Sequence, residues 1–281
     1  MSAEDFVVSV AFGDALLAAT AGDEWRRWDL VSRLHVDGGR EALPVASALC
    51  RHSDPSRRAL GVDVLGQLGA GPGGRAVDGP FHAEALNVLL SMADVEDDPY
   101  VLVCIAVAFG HIGDERCVDP LIRWQAHPNP EVRNGVVSGL LGREEPAAME
   151  TLIKLSTDSH VDVRDWATFG LARYTDLDFP RLRQALIDRL GDDDTDTAAE
   201  AINGLARRGD ERALLPLIEA LQSQRPVSDP FVLVEALYAL AIATADPRLH
   251  PLLMAEADEW RADAPDEDLP PDLAAALTRY A

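Results

Sequence analysis

Acidic side chains are the residues of this chain with the clearest chemical potential, because they gather in short clusters. The clusters contain Asp94, Glu96, Asp97 and Asp98; Asp158 and Asp162; Asp192, Asp193, Asp194 and Asp196; and, further on, Asp229. Such residues either cap helix N-termini or attract a cationic partner. An EF-hand calcium loop at Asp192 is excluded, because Asn203 stands 11 residues later, where that loop needs a bidentate Glu.

Histidine and cysteine spacings do not point to a metal site or a nucleophile. The 7 histidines are scattered, and neither H-x-x-x-H nor C-x-x-C occurs. Cys104, His111 and Cys117 come closest, but they lack a paired-ligand motif. We therefore expect no catalytic residue, no cofactor and no metal. The 3 cysteines are expected to be buried as small apolar residues in a reducing compartment.

A Gly- and Pro-rich stretch spans residues 70–80 and carries one cation, Arg75. It is not a phosphate-binding loop, because Gly-Lys-Ser/Thr is absent. Such an insertion either contacts a ligand or is a tolerated surface loop, and the sequence leaves both readings open.

A repeat organises the elements that carry these residues. A helix-starting residue recurs at intervals of 31, 44, 31, 31, 34 and 35 residues, and an apolar residue follows each one 11 positions later. The starters are Asp23, Asp54, Asp98, Asn129, His160, Asp194 and Asp229, and the closers are Leu34, Leu65, Phe109, Leu140, Leu171, Leu205 and Leu240. Intervals of this size indicate stacked helical units, each with a first and a second helix.

The second helix has its own signature. Gly113-Asp114-Glu115-Arg116 leads into one such helix, and Gly209-Asp210-Glu211-Arg212 leads into another. In the first helices, Arg stands 4 positions after the starter at Arg27, Arg58, Arg133 and Arg164, whereas Leu102, Ala198 and Leu233 replace it elsewhere.

These residues resemble the short HEAT-like repeats of the phycobilisome-lyase type, over about residues 23–257. The resemblance implies an all-α fold: a right-handed α-α superhelix, or solenoid, of about seven helix pairs with an Asp-to-Arg ladder between repeats. The ladder should be interrupted at the three replaced positions. Tetratricopeptide and ankyrin signatures do not recur at a fixed spacing.

The organisation predicted from this pattern is one repeat domain over residues 1–281. Residues 1–22 form an N-terminal cap, residues 23–257 form seven repeats, and residues 258–281 form a C-terminal cap. The capping helix at the N-terminus is expected to use Phe6, Val7, Val10, Leu16 and Leu17 as its apolar face.

The net charge of −23 limits the possible partners. Binding to nucleic acid needs a basic surface that displaces counterions, so nucleic acid is not expected as a partner. No segment resembles a signal peptide or a membrane span, which predicts a cytoplasmic protein without membrane contact. The acidity reflects either solubility alone or a cationic partner.

The predicted function is a noncatalytic protein-protein interaction scaffold or adaptor. It would bind a protein or peptide, plausibly a basic one, on a concave surface lined by second helices or along the acidic edge, the side of the solenoid where repeat stacking should align the acid-rich turns. The candidate partner-binding residues are Glu115, Asp119, Arg123, Glu150, Lys154, Glu211 and Glu219 on the second helices, Arg75 in the insertion, and Asp97, Asp98, Asp193 and Asp194 on the edge.

The resemblance also implies an enzymatic alternative. Bilin lyases and alkylpurine DNA glycosylases have similar repeats, and the glycosylases need a basic face with an Asp among aromatic residues. The five tryptophans are expected to pack mostly in the core or between repeats.

Overall fold

A computed structural model describes residues 3–70, 79–223, 226–265 and 267–281. These residues form α-helices and short 3-10 turns, with no strand among them. The α-helices are α1 (Ala3–Thr20), α2 (Glu24–Asp37), α3 (Gly39–Leu49), α4 (Pro55–Gly66), α5 (His82–Ala93), α6 (Pro99–Ile112), α7 (Val118–Arg123), α8 (Pro130–Leu140), α9 (Pro146–Leu155), α10 (Val161–Arg173), α11 (Pro180–Ile187), α12 (Thr195–Arg207), α13 (Leu214–Gln222), α14 (Phe231–Thr244), α15 (His250–Asp263) and α16 (Pro271–Thr278).

The predicted all-α fold is confirmed. The even-numbered helices from α2 to α14 are the first helices, and the odd-numbered ones from α3 to α15 are the second helices. The chain divides into two compact units, residues 1–141 and 142–281, and within each the helices pack in a solenoid-like arrangement. Of the described helices, none is long and apolar enough to cross a membrane.

The predicted starters begin most of the first helices. The side chains of Asp54, Asp98 and Asn129 accept hydrogen bonds from the backbone N–H two residues later, and each is followed by Pro at the first helical position. His160 makes no capping bond with its side chain. Asp229 lies one residue before Pro230, the N-cap of α14, and its side chain accepts from the Phe231 N–H.

All seven closers are buried, since each is at most 2 % exposed. In both units, first helices of consecutive repeats touch directly because small residues face each other. A Cβ on Gly139 would lie 2.7 Å from the Ala106 oxygen, and one on Gly204 would lie 2.9 Å from the Ala172 Cα. Larger residues at these two glycines would therefore force the first helices apart.

The arginine ladder forms where an acid stands two residues before the next starter. Arg58 donates to Glu96 at 2.7 and 2.8 Å, and Arg164 donates to Asp192 at 2.8 and 3.0 Å. Each arginine also donates to carbonyl oxygens of the turn before its own helix. The ladder thus joins successive turns.

Arg27 departs from the predicted ladder. His52 occupies the position two residues before the next starter, so no carboxylate is available there. Arg27 is buried and pairs instead with Asp63, which lies in the middle of α4.

Arg208 closes the C-terminal end of α10. Its guanidinium donates to carbonyl oxygens of five residues, at distances of 2.8 to 3.4 Å: Leu171, Ala172, Thr175, Leu177 and Gly204. The last carbonyl groups of a helix have no partner within the helix, and a planar guanidinium with five donors can satisfy several of them.

The predicted apolar face of the N-terminal helix differs from the face that the structure buries. The side chains of Val8, Phe12, Ala15 and Ala18 form the buried face of α1, whereas Val10 and Leu17 are exposed, so the predicted face was wrong at these two positions. Spacings of three and four residues select this other stripe. Arg75 and most of the insertion lie outside the described residues, as do the side chains of Phe6 and Val7.

The limits of the predicted caps can be compared with the helices. The proposed boundary after residue 257 falls inside α15, which continues to Asp263. The terminal element after the last repeat is therefore α16, which packs against α14 and α15.

Truncating a closer should destabilise the fold. Leu171→Ala removes a fully buried side chain and should lower the free energy of unfolding by about 2 to 5 kcal/mol, through lost transfer energy and a residual cavity. Leu215→Ala is the control, because Leu215 is 58 % exposed. Urea denaturation of both variants measures the difference, and an unchanged midpoint for Leu171→Ala would show that the register is wrong.

The two neighbouring arginines at the end of α12 should differ in their contribution to stability. Arg208→Met keeps the aliphatic stem but leaves several carbonyl oxygens unsatisfied, which should cost about 2 to 4 kcal/mol. Arg207→Met removes only a partly exposed ion pair with Asp176 at 3.6 Å and should cost less than about 1 kcal/mol. Equal losses in thermal or urea denaturation would contradict the role assigned to Arg208.

Candidate partner-binding groove

The first helices of unit 142–281 place corresponding residues side by side. Trp166, Glu200 and Glu235 stand at one repeat position of α10, α12 and α14, and they are separated by 34 and 35 residues, as are the starters. Three positions further on, the same helices carry Phe169, Asn203 and Tyr238. Because these helices pack in sequence order, the two rows lie on one surface.

This surface contains two cavities of about 300 Å³ each. We call them together the first-helix groove. One cavity is lined by Asp165, Trp166, Phe169, Arg173, Asp196, Glu200, Val227, Ser228, Asp229 and Val232. The other is lined by Asn203, Arg207, Glu235, Tyr238, Ala239, Ile242 and Asp272. Their lining contains six carboxylic acids and two arginines, so acidic groups predominate.

Arg173 connects the two cavities. Its Nε donates to Glu200 at 2.9 Å, and its Nη2 lies 3.0 Å from Glu235 Oε2. The guanidinium carbon is 5.8 Å from the centre of the Phe169 ring. One arginine of the chain itself is thus held by two carboxylates over an aromatic ring.

Aromatic side chains line one wall of the groove. Trp166 and Phe169 pack edge to face with ring centres 5.2 Å apart, and Phe169 lies 5.3 Å from Tyr174. Trp166 and Tyr174 are nevertheless 44 % and 50 % exposed. The cluster therefore offers apolar surface to a ligand.

Two groove carboxyl groups have strongly raised pKa values. Burial raises the pKa of Glu200 to about 7, and the charges of Asp165 and Glu235 add to this rise while Arg173 opposes it. Burial and the charges of Asp194, Asp196 and Asp162 raise the pKa of Asp165 to about 6. Both groups are thus harder to ionise than free carboxyl groups, which is typical of functional sites.

Asn203 is a buried polar residue in the second cavity. Its Nδ2 donates to the Val232 carbonyl oxygen at 3.1 Å, but its Oδ1 has no hydrogen-bond partner among the described residues. The side chain is fully buried. A buried amide oxygen without a donor costs free energy unless a ligand or water supplies one.

The segment before α14 is fixed against the start of α12. Ser228 donates to Asp196 from its backbone N–H at 2.6 Å and from its hydroxyl at 2.5 Å. The Thr195 hydroxyl donates to the Pro226 carbonyl oxygen at 2.7 Å. These bonds hold Val227 and Ser228 at the rim of the groove.

The residues predicted on the second helices lie elsewhere. All seven are exposed, and they are distributed over α7, α9 and α13 and over the turns before α7 and α13. Arg123 donates to Asp94 at 2.9 Å, and Glu150 pairs with Arg181 at 2.8 Å. They do not line the first-helix groove, and their role in binding stays a prediction.

The predicted edge residues are caps or surface acids. Asp98 accepts from the N–H groups of Tyr100 and Val101, and Asp194 accepts from Thr197. Asp193 lines a separate groove of about 390 Å³ together with Glu219, so these two predicted residues do lie near one another. Asp97 lines a groove of about 760 Å³ in unit 1–141.

The tryptophans were predicted to pack mostly in the core or between repeats, and the cysteines were predicted to be buried. Trp124 is buried against Phe109, but Trp25, Trp28 and Trp166 are 82 %, 46 % and 44 % exposed, so the expectation of core packing was wrong for these three. Cys50 and Cys117 are buried, and Cys104 is half-buried. Among the described residues, no three His, Cys, Asp or Glu side chains are arranged to hold a metal ion.

Sequence reasoning missed the groove residues. A signal was present, because Trp166, Glu200 and Glu235 recur with the same spacing as the starters. No single helix shows the pattern, however, because each helix carries only one residue of the row. Only alignment of the helices by repeat position shows that they form one row.

The comparisons with known proteins agree with the repeat. Residues 86–172 match the model for HEAT repeats, and residues 197–223 match the model for the PBS lyase HEAT-like repeat. Protein YibA of Escherichia coli strain K12 is 26 % identical over 230 residues, covering 78 % of this chain and 77 % of YibA.

Solved structures show the same fold. The X-ray structure of E. coli YibA aligns with a TM-score of 0.70 and 21 % identity, covering 99 % of this chain and 97 % of that chain. An engineered protein aligns with a TM-score of 0.51 and 20 % identity, covering 72 % of this chain and 96 % of its own. Residues 86–172 and 197–223 of the chain therefore match HEAT-like repeats, and most of the chain is similar to YibA.

Proposed function

We propose that the protein is a noncatalytic scaffold that binds a basic segment of a protein partner in the first-helix groove. The observation that carries this proposal is the composition of the groove, where six carboxylic acids and an aromatic wall surround two arginines. A segment with cationic and apolar side chains would complement both features.

The raised pKa values support a cationic ligand. Glu200 and Asp165 are held near neighbouring carboxylates, and a bound cation would favour their ionised forms. A ligand that makes charged groups easier to ionise is bound more tightly when they are ionised. The groove is thus better matched to a cation than to an anion.

The enzymatic alternatives fit the groove less well. Asp165 stands beside Trp166, which resembles one requirement of an alkylpurine DNA glycosylase. The acidic lining would repel a phosphate backbone, however, and no basic stripe accompanies it along the groove. A bilin carries carboxylate groups and would meet the same repulsion, so a colour change on mixing with bilin would favour the lyase alternative over the scaffold.

The position of the site can be tested by removing equal charge from two surfaces. Glu200→Gln with Glu235→Gln should weaken binding of a peptide composed of Arg, Lys and Leu by about tenfold or more, because charged contacts are lost in a partly buried site. Glu150→Gln with Glu219→Gln removes the same charge from the second helices and tests the competing site. Isothermal titration calorimetry measures both affinities.

The outcomes of this comparison are distinct. A larger loss from the second pair would place the site on the second helices. No binding of the peptide to the unsubstituted protein would contradict the proposed cationic partner. Circular dichroism confirms that each variant is folded.

Salt should slow association with a cationic partner. The net charge of −23 steers such a partner, and the Debye length falls from about 30 Å at 0.01 M to about 8 Å at 0.15 M salt. Stopped-flow mixing should therefore show a marked fall in the association rate over this range. Asp193→Asn with Asp194→Asn preserves the helix cap and should slow association more than it speeds dissociation. An association rate independent of salt would show that the negative charge serves solubility and does not steer a partner.

A further inference from the structure

We propose that Asp165 and Trp166 form a recognition site for an arginine side chain of the partner, so that the groove selects arginine over lysine. This inference rests on the proposed function, because it names the side chain of the partner that the groove would bind. The ligand is an arginine-bearing segment of a protein.

Among the described residues Asp165 pairs with no cation, and the one side-chain hydrogen bond that lowers the pKa of its carboxyl group is with Thr197. The Oδ1 of Asp165 is excluded from solvent and has no hydrogen-bond partner among the described residues. The other acids of this cavity are engaged: Glu200 accepts from Arg173, Asp196 accepts from Ser228, and Asp229 accepts from the Phe231 N–H. A donor from outside the chain would satisfy Asp165.

This wall of the groove already binds one guanidinium group, that of Arg173. Arg173 lies over Phe169 while it donates to Glu200, so the groove combines a ring and a carboxylate around one arginine. Trp166 and Asp165 line the same cavity, and among the described residues no arginine lies over the Trp166 ring or pairs with Asp165. A planar guanidinium stacks on a ring while it donates to a carboxylate, whereas an ammonium does this less well.

Asn203 supplies a second and independent indication of a donor-bearing ligand. Its side chain is fully buried, and its Oδ1 lacks a donor although its Nδ2 is bonded to the Val232 carbonyl oxygen. As far as the structure describes the chain, the two cavities of the groove thus hold two acceptors without donors, together with one donor without a hydrogen-bond acceptor, Arg173 Nη2, and a peptide segment offers N–H and carbonyl groups for both kinds. A peptide segment with an arginine has such donors in both its side chain and its backbone.

The electrostatic surroundings explain why the site favours a cation. Groups on every neighbouring element face or share the cavity of Asp165: Asp162 and Arg173 on α10, Asp194, Asp196, Thr197 and Glu200 at α12, and Asp229 before α14. The pKa of Asp165 is raised to about 6, so its ionisation at neutral pH destabilises the free protein. A guanidinium beside it would offset that cost.

The test compares two peptides that differ only in having arginine or lysine at each cationic position. The unsubstituted protein should bind the arginine peptide about three- to fivefold more tightly. Asp165→Asn should weaken arginine binding by about tenfold or more and remove most of this preference. Asp263→Asn removes the same charge from an exposed position on α15 and should change either affinity less than about twofold.

Two further measurements separate a direct contact from a general loss of charge. Trp166→Leu keeps an apolar side chain against Phe169 and should reduce the arginine preference while it leaves lysine binding nearly unchanged. Lowering the pH from 7.5 to 5 protonates Asp165 and should weaken arginine binding more in the unsubstituted protein than in Asp165→Asn. Because the Asp165 charge contributes to the raised pKa of Glu200, the same pH comparison is made in a Glu200→Gln background, where Asp165 is the only one of these two groups left to titrate.

The results distinguish this inference from the proposed function. If both peptides bind equally and Asp165→Asn behaves like Asp263→Asn, the arginine site is wrong while the scaffold proposal stands. If neither peptide binds the unsubstituted protein, the scaffold proposal itself fails. If Asp165→Asn does not fold, Trp166→Leu decides, and an unchanged preference in that variant overturns the inference.

Discussion

Direct contact between first helices of consecutive repeats is the constraint on which the rest of the structure depends. The buried closers fill the space between the layers, and small residues such as Gly139 and Gly204 let the first helices approach. A helix pair cannot bury its apolar face alone, so each repeat relies on its neighbours. The same contact determines which side chains are neighbours on the outer surface, because residues at the same repeat position of consecutive first helices lie side by side. The first-helix groove follows from this register.

Arginine has two different uses in this chain. Arg58 and Arg164 join successive turns of the fold. Arg208 donates to carbonyl oxygens at the end of a helix. These positions need several donors in a fixed plane, which an ammonium cannot provide. Part of the positive charge of the protein therefore serves the fold.

The groove is organised in a way that stability alone does not explain. Glu200 and Asp165 are held in surroundings that oppose their ionisation, and Asn203 keeps a buried oxygen without a donor. Each of these features lowers the stability of the free protein. They lie on one surface with half-exposed aromatic rings. A ligand with cationic and N–H groups would convert the same features into favourable contacts, which is why the binding proposal places the partner there.

The sequence by itself determined the helix pairs and the apolar closers, because capping, helical periodicity and repeat spacing are local properties, whereas the arginine ladder was implied by the resemblance to HEAT-like repeats. Asp98 and Leu171 could be assigned in this way. The tertiary structure decided which outward residues meet. It turned Arg27 toward Asp63, and it set Arg173 between Glu200 and Glu235 on two other helices. Those outcomes depend on the approach of helices more than 25 residues apart in sequence and on burial, neither of which any single segment encodes.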